Sequence, residues 1–173
     1  MVFGNPQQFA IQIDPVPEWG NAAFCEGLFC IYLNWQRLGP QRVRSETLDI
    51  AIRQLLNSLQ HPTYGVIKPL SLLNLTNGKN DIELLLYLHA LTYPVDARDD
   101  SVDNCWDYVI SPDALTDVGF CLFLYKNAES EVLIGGAPGA KMATSTSMPI
   151  GSTLSIATQA YQYITQLPTV LST

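Results

Sequence analysis

The sequence predicts an α+β fold of one domain over residues 1–173, with a mostly antiparallel sheet and helices packed on it. Two β-rich runs within residues 118–136 flank the polar turn "KNAES", which is typical of an antiparallel hairpin. Residues 45–59 instead repeat apolar side chains at helical spacing. Strands and helices follow one another without a regular βα alternation, and this favours α+β over a parallel sheet.

The N-terminal third contains two predicted strands. "FAIQI" at 9–13 alternates apolar and polar residues, as a half-buried strand does. Pro15 and Pro17 then predict a loop, because proline cannot donate to a sheet ladder. "GLFCIYLN" at 27–34 predicts a buried strand that turns at Asn34 and returns through "WQRL".

Two longer apolar segments follow. The helix over 45–59 has Ser45 or Thr47 as its N-terminal cap, and one leucine-rich face is available for the sheet. "DIELLLYLHAL" at 81–91 is apolar on all sides, so its pattern fits a buried strand and a buried helix equally.

The C-terminal third contains a short and a long predicted helix. "PDALTD" predicts a helical turn, with Ser111 as its cap and Pro112 at its first position. A Gly/Ser/Thr/Pro-rich stretch over 137–149 has no hydrophobic period and predicts a loop. Residues 152–167 return to helical spacing, and Pro168 ends that helix.

The charge balance is acidic, with 9 basic and 16 acidic residues and a formal charge of −7. Direct binding of nucleic acid is disfavoured, because phosphate contacts need clustered Lys and Arg. The longest apolar run, residues 84–93, is far shorter than the roughly 20 residues of a membrane span. The first ten residues lack the basic and apolar regions of a secretion signal, so we expect a cytoplasmic protein without membrane contact.

No motif for a metal, a cofactor or a catalytic nucleophile is evident. The four cysteines form no C-x-x-C pair, which disfavours zinc, and Cys25, Cys30 and Cys121 are predicted to be reduced core thiols. The stretch "GGAPGAKMATST" is similar to a phosphate loop, but Ala140 precedes Lys141 and Met142 replaces the hydroxyl that would hold magnesium. We therefore predict neither a cofactor nor a catalytic residue.

Acidic residues concentrate in one part of the chain. Seven of the 16 fall between positions 96 and 117, with Arg98 as the one basic residue there: Asp96, Asp99, Asp100, Asp103, Asp107, Asp113 and Asp117. Their spacing does not match a calcium loop, which needs a central glycine and a terminal glutamate. A few carboxylates suffice for magnesium, but no basic or Gly-rich partner for a phosphorylated substrate is nearby.

This acidic segment is our predicted partner-binding site. Its members are Asp96, Asp99, Asp100, Asp103, Trp106 and Asp107. The alternatives are a solvated acidic loop, a catalytic or metal-binding cluster, and a Trp106 that is simply the first core residue of a strand. A docking surface explains both the charge and the tryptophan, because tryptophan is enriched at the energetic centres of interfaces.

The N-terminus resembles a known family. "FGNPQQFAIQI" at 3–13, "PEW" at 17–19 and "FCEGLFCIYLN" at 24–34 are similar to bacterial immunity proteins of polymorphic-toxin and contact-dependent growth inhibition loci. The resemblance is specific over about the first 35 residues and general beyond them. The family pattern has a turn such as Asn-Gly after the second strand, whereas Trp35 follows Asn34 here.

The resemblance implies an inhibitor and not an enzyme. Such proteins bind one cognate toxin domain in the cytoplasm and block it, and many of these toxins are nucleases with basic surfaces. An acidic inhibitor then occupies the space of the nucleic acid, and charge complementarity speeds association. The alternatives that the residues leave open are a metal-dependent hydrolase using the Asp96–Asp117 carboxylates and an acidic adaptor domain.

Overall fold

The fold is α+β, as predicted, and combines two antiparallel sheets with helices. The computed structural model describes residues 1–21, 24–39, 44–60, 78–93, 108–126 and 129–167. The strands are β1 (Val2–Gly4), β2 (Phe9–Pro15), β3 (Glu26–Leu33), β4 (Gln36–Leu38), β5 (Glu46–Thr47), β6 (Cys121–Lys126), β7 (Ser130–Ala137) and β8 (Met142–Pro149). The helices are α1 (Leu48–Gln60), α2 (Asp81–Thr92), α3 (Asp113–Thr116) and α4 (Ser152–Gln166).

The first sheet has the order β1-β2-β3, and both β4 and β5 pair with β3. Alternation along β2 and β3 turns one face inward, because successive side chains of a strand point to opposite sides. Ile11 pairs with Ile31 and Ile13 pairs with Phe29, and all four side chains are fully or almost fully buried. This face forms the floor of the main hydrophobic core.

Helices α1 and α4 pack against each other over this floor. The buried face of α1 carries Leu48, Ala51, Ile52, Leu55, Leu56 and Leu59, which is the helical spacing that the sequence predicts. The buried face of α4 is built from smaller residues, Thr153, Ala157, Ala160 and Ile164. The buried residues of both helices recur at helical spacing, so the amphipathic patterns of both predicted helices are confirmed.

The second sheet has the order β6-β7-β8 and is covered on both faces. Leu122 and Leu124 face the main core, whereas Phe123 and Ile134 face a smaller core closed by α2. Helix α2 contributes Leu84, Leu85 and Leu88 to that smaller core. The tertiary structure therefore decides in favour of a helix for residues 81–91, where the sequence pattern was ambiguous. The hairpin of β6 and β7 is confirmed.

The prediction of a loop over residues 137–149 is wrong. A single 3-10 turn over Pro138–Ala140 is followed by β8, which pairs with β7 along its whole length. Strand β8 is an edge strand, and only its Thr144 and Met148 are buried. Its Ser- and Thr-rich sequence therefore shows no alternation of apolar and polar residues. Gly136 lies in the same hairpin, where a side-chain Cβ would collide with the backbone oxygen of Met142. This glycine permits a close strand approach and is not part of a phosphate loop.

Two local predictions need correction. The Ser111 hydroxyl does not cap α3, whose N-cap residue is Pro112; it bonds both backbone groups of Leu122, at 2.7 Å to the nitrogen and 3.2 Å to the oxygen. The hydroxyls of Ser45 and Thr47 donate to the Glu26 carboxylate instead of capping α1. No helix in the described ranges has the length and apolar character needed to cross a membrane.

Candidate protein-binding surfaces

The predicted partner-binding residues Asp96, Asp99, Asp100, Asp103, Trp106 and Asp107 lie outside the described residues. Their role stays a prediction. The C-terminal end of the same acidic segment is described, however, and Asp113 and Asp117 belong to the short helix α3 and its C-cap. The structure therefore shows which parts of the fold the end of this segment joins.

Asp117 joins acids that are remote in sequence. Arg44 lies between two carboxylates, with Nε 3.0 Å from Glu46 Oε1 and Nη2 3.3 Å from Asp117 Oδ2. Strand β5 places Glu46 opposite Gly27 and Thr47 opposite Glu26. We define the acidic cluster as Glu26, Glu46, Asp49 and Asp117: Arg44 pairs with Glu46 and Asp117, Glu26 interacts with Glu46, and Asp49 and Glu26 both act on Cys25.

Glu26 is held rigidly within this cluster. Its two carboxylate oxygens each accept a hydroxyl hydrogen bond of 2.7 Å, one from Ser45 and the other from Thr47. These bonds tie the start of β3 to the segment that leads into α1. The Glu26 charge is thus fixed in place at the entrance of the strand, and holding it costs little additional side-chain entropy when a partner binds.

Glu46 is the most buried member of the cluster. Its side chain is only 9% exposed, and no hydrogen bond from the described groups reaches its buried Oε1 despite the Arg44 ion pair. Burial raises the pKa of Glu46 above its ordinary value of 4.5; Arg44 opposes this rise, and Asp117 and Glu26 add to it. The cluster is therefore incompletely neutralised from within.

Asp49 and Cys25 lie close to each other, where the start of α1 meets the start of β3. Asp49 is in the first turn of α1, where a carboxylate interacts favourably with the helix dipole, but its buried Oδ1 has no hydrogen-bond partner in the described ranges. Burial raises the pKa of the half-buried Cys25 thiol, and the charges of Asp49 and Glu26 raise it further. A thiol in this setting is a poor nucleophile, because the thiolate is the reactive form.

The other described cysteines are buried and free of disulfides, as predicted for core thiols. Burial raises the pKa of Cys121 to about 12, and it also raises the pKa of Cys30. The His89 and Tyr93 rings contact each other in a tilted arrangement, with centroids 4.9 Å apart. Within the ranges that the structure describes, no three His, Cys, Asp or Glu side chains converge in a metal-binding arrangement.

A second, uncharged surface lies at the other end of β3. The two-residue turn Asn34–Trp35 connects β3 to β4, and Trp35 is the most exposed large apolar residue of the described chain, at 66%. Both turn residues have positive φ, 47° and 66°. The sequence predicted the turn at Asn34 but did not identify Trp35 as a site residue. The signal was that Trp35 stands where the family pattern has a glycine.

The described residues thus form an acidic α+β fold with two candidate docking surfaces. The model of the family Immunity protein 42 (Imm42) matches residues 1–163 of this sequence. The chain belongs to the Imm42 family, and the predicted relationship to immunity proteins is confirmed.

The crystal structure of CdiI from Burkholderia dolosa AUO158 is similar to this chain. The TM-score is 0.73 at 21% sequence identity, and the alignment covers 94% of this chain and 99% of that one. At this identity the likeness establishes the shared fold. Comparison with curated protein sequences gives no match.

Proposed function

We propose that this chain is a cytoplasmic immunity protein that neutralises a cognate toxin domain by binding it, without catalysis, through an acidic surface. The Imm42 match over residues 1–163 carries the proposal of an immunity role. The toxin is of the nuclease type and presents the basic surface with which it holds nucleic acid.

The acidic cluster supports the choice of surface. Arg44 connects Asp117, at the end of the acidic segment, with Glu46 of β5. The fold thus brings Glu46, and through it Glu26, close to Asp117, the last of the seven acids between positions 96 and 117. A basic partner would neutralise this charge, and the lowered repulsion would favour the complex.

Neutralisation is tested by co-expression with the toxin domain encoded beside this chain's gene. We expect the wild-type protein to restore growth, to co-purify with the toxin domain and to stop its cleavage of nucleic acid in vitro. Absence of both protection and a complex would refute the immunity role. A toxin domain that is neutralised but cleaves no nucleic acid would refute the nuclease assignment alone.

The acidic surface is tested by charge reversal. We expect Asp99→Lys/Asp100→Lys/Asp103→Lys, and separately Asp117→Lys, to slow association about tenfold or more at low salt and to flatten its salt dependence. Glu129→Lys is the matched control, because it changes the net charge as much as Asp117→Lys does but lies at the far end of β6, in the β6–β7 turn. Equal association rates for Asp117→Lys and Glu129→Lys would place the interface elsewhere.

A further inference from the structure

The turn Asn34–Trp35 has an unusual residue, a tryptophan, at its second position. Leu33 pairs with Gln36, so two residues make the whole turn, and both have positive φ. Such turns favour Asn followed by Gly, because a side chain at positive φ crowds its own backbone. Asn34 tolerates this conformation, whereas a bulky Trp35 is strained in it.

Neighbouring backbone holds the strained turn in place. Trp35 N donates to Pro6 O at 2.7 Å, and Asn34 N donates to Gln8 O at 2.9 Å. Asn34 Nδ2 also reaches Thr144 Oγ1 at 3.3 Å. Any residue except proline would supply the same backbone bond at position 35, and Trp35 remains 66% exposed. The folded state alone therefore gives no reason for a tryptophan here.

An uncharged groove adjoins the turn. It has a volume of about 460 Å³ and shares Asn5 and Gln8 with the loop that holds Asn34 and Trp35. Ile150, which is 53% exposed, and Ser152 form its other side. None of its nine lining residues is charged, although the chain has 9 basic and 16 acidic residues. Trp35 does not line the groove itself, and Gln8, which accepts from Asn34 N, connects the two. Depletion of charged residues is typical of the core of a protein interface.

We propose that Trp35 and the uncharged groove beside it are the apolar anchor of the toxin interface, and that the toxin packs an uncharged, apolar segment on them. This inference rests on the proposed function. Here Trp35 and Ile150 act together with the acidic cluster, which lies at the opposite end of β3. That strand has eight residues and is about 25 Å long, whereas a standard interface of about 800 Å² per partner is about 30 Å across.

A second copy of this chain is a weaker occupant. Trp35 and Ile150 together expose roughly 300 Å² or less, well below the about 800 Å² that each partner of a stable complex usually buries. A toxin that also contacts the acidic cluster adds the missing area. The two surfaces then have separate roles, since charges speed association and a desolvated aromatic anchor slows dissociation.

Trp35→Ala and Trp35→Gly test the anchor, and Leu86→Ala is the control, since Leu86 is also an exposed apolar residue, at 38%, but lies on α2, which packs on the second sheet. The probe is the purified toxin domain encoded beside this chain's gene. We expect both Trp35 variants to raise Kd about 10- to 30-fold, through faster dissociation and with unchanged salt dependence. The control is expected to change Kd less than about threefold.

Thermal unfolding separates a binding residue from a structural one. Relief of the positive-φ strain predicts that Trp35→Gly raises Tm by about 2–4 °C while it weakens binding. A lower Tm together with weaker binding would make Trp35 a structural residue and overturn the inference. Unchanged dissociation rates, with wild-type binding intact, would overturn the inference and leave the proposed function standing. A wild-type protein that does not bind the toxin domain would overturn both.

Discussion

Two buried carboxylates, one in each half of the molecule, differ in how fully the fold satisfies them with hydrogen bonds. Glu131 of β7 is 1% exposed and accepts three hydrogen bonds: from Gly151 N at 2.8 Å, and from the nitrogen and the hydroxyl of Thr153, both at 2.6 Å. Glu46 of β5 is 9% exposed and has Arg44 as an ion-pair partner, with one buried oxygen left without a hydrogen bond.

The difference separates a buried charge that is fully hydrogen-bonded from one that is only partly offset. Glu131 caps the N-terminus of α4, where Gly151 has no side chain to do so and where the helix dipole favours a negative charge. Its charge is fully used inside the fold. Burial works against the charge of Glu46, Asp117 and Glu26 add to this, and Arg44 offsets it only in part.

The largest expected effect concerns Glu131. We expect Glu131→Ala to lower the free energy of unfolding by about 2–4 kcal/mol, because it removes a buried, charged acceptor and leaves three donors unsatisfied. Glu131→Gln is the matched variant and should lose about half as much, since its amide group keeps one accepting oxygen. Urea unfolding measures both. A loss below about 1 kcal/mol for Glu131→Ala would contradict the structural role.

An intermediate effect of the opposite sign is expected at Glu46. A raised folded-state pKa means that the native protein holds the proton more tightly than the unfolded chain. The stability that Glu46 contributes is therefore complete below pH 4.5 and is lost as pH rises through the raised folded-state pKa.

Glu46→Gln removes this titration. We expect the variant to gain stability relative to the wild type on going from pH 4 to pH 7, as measured by urea unfolding at both values. Glu129→Gln, at an exposed turn, serves as the control for a change of one charge. A wild-type advantage that grows between pH 4 and pH 7 would show instead that Arg44 outweighs burial and lowers the pKa of Glu46.

The smallest expected effect concerns the attachment of α3 to α1. Gln54 Nε2 donates to Asp113 Oδ2 at 2.6 Å, and Asp113 N donates back to Gln54 Oε1 at 3.0 Å. Both groups are near solvent, so Gln54→Ala should cost less than about 1 kcal/mol. If the acidic segment forms the interface, the same variant should also slow toxin association slightly, because the described end of that segment is then held less firmly.

Sequence reasoning identified the elements with strong patterns and missed the surfaces that form across the fold. The acidic segment was visible because its residues are consecutive. The contribution of Glu26 and Glu46 was not, because they join Asp117 only through the pairing of β3 with β5 and through Arg44. Strand β8 was missed because its Ser- and Thr-rich sequence lacks an apolar alternation. It lies at the edge of the sheet, and its pairing with β7 supplies most of its order.

The sequence by itself determined the α+β class, the helices α1 and α4, the hairpin of β6 and β7 and the family, since periodicity and short motifs are local properties. The tertiary structure decided that residues 81–91 form a helix, that residues 142–149 form a strand, and that Trp35 stays exposed in a strained turn. It also decided which carboxylates meet. The physical reason is that burial and electrostatic environment depend on contacts between segments far apart in the chain, and these exist only after folding.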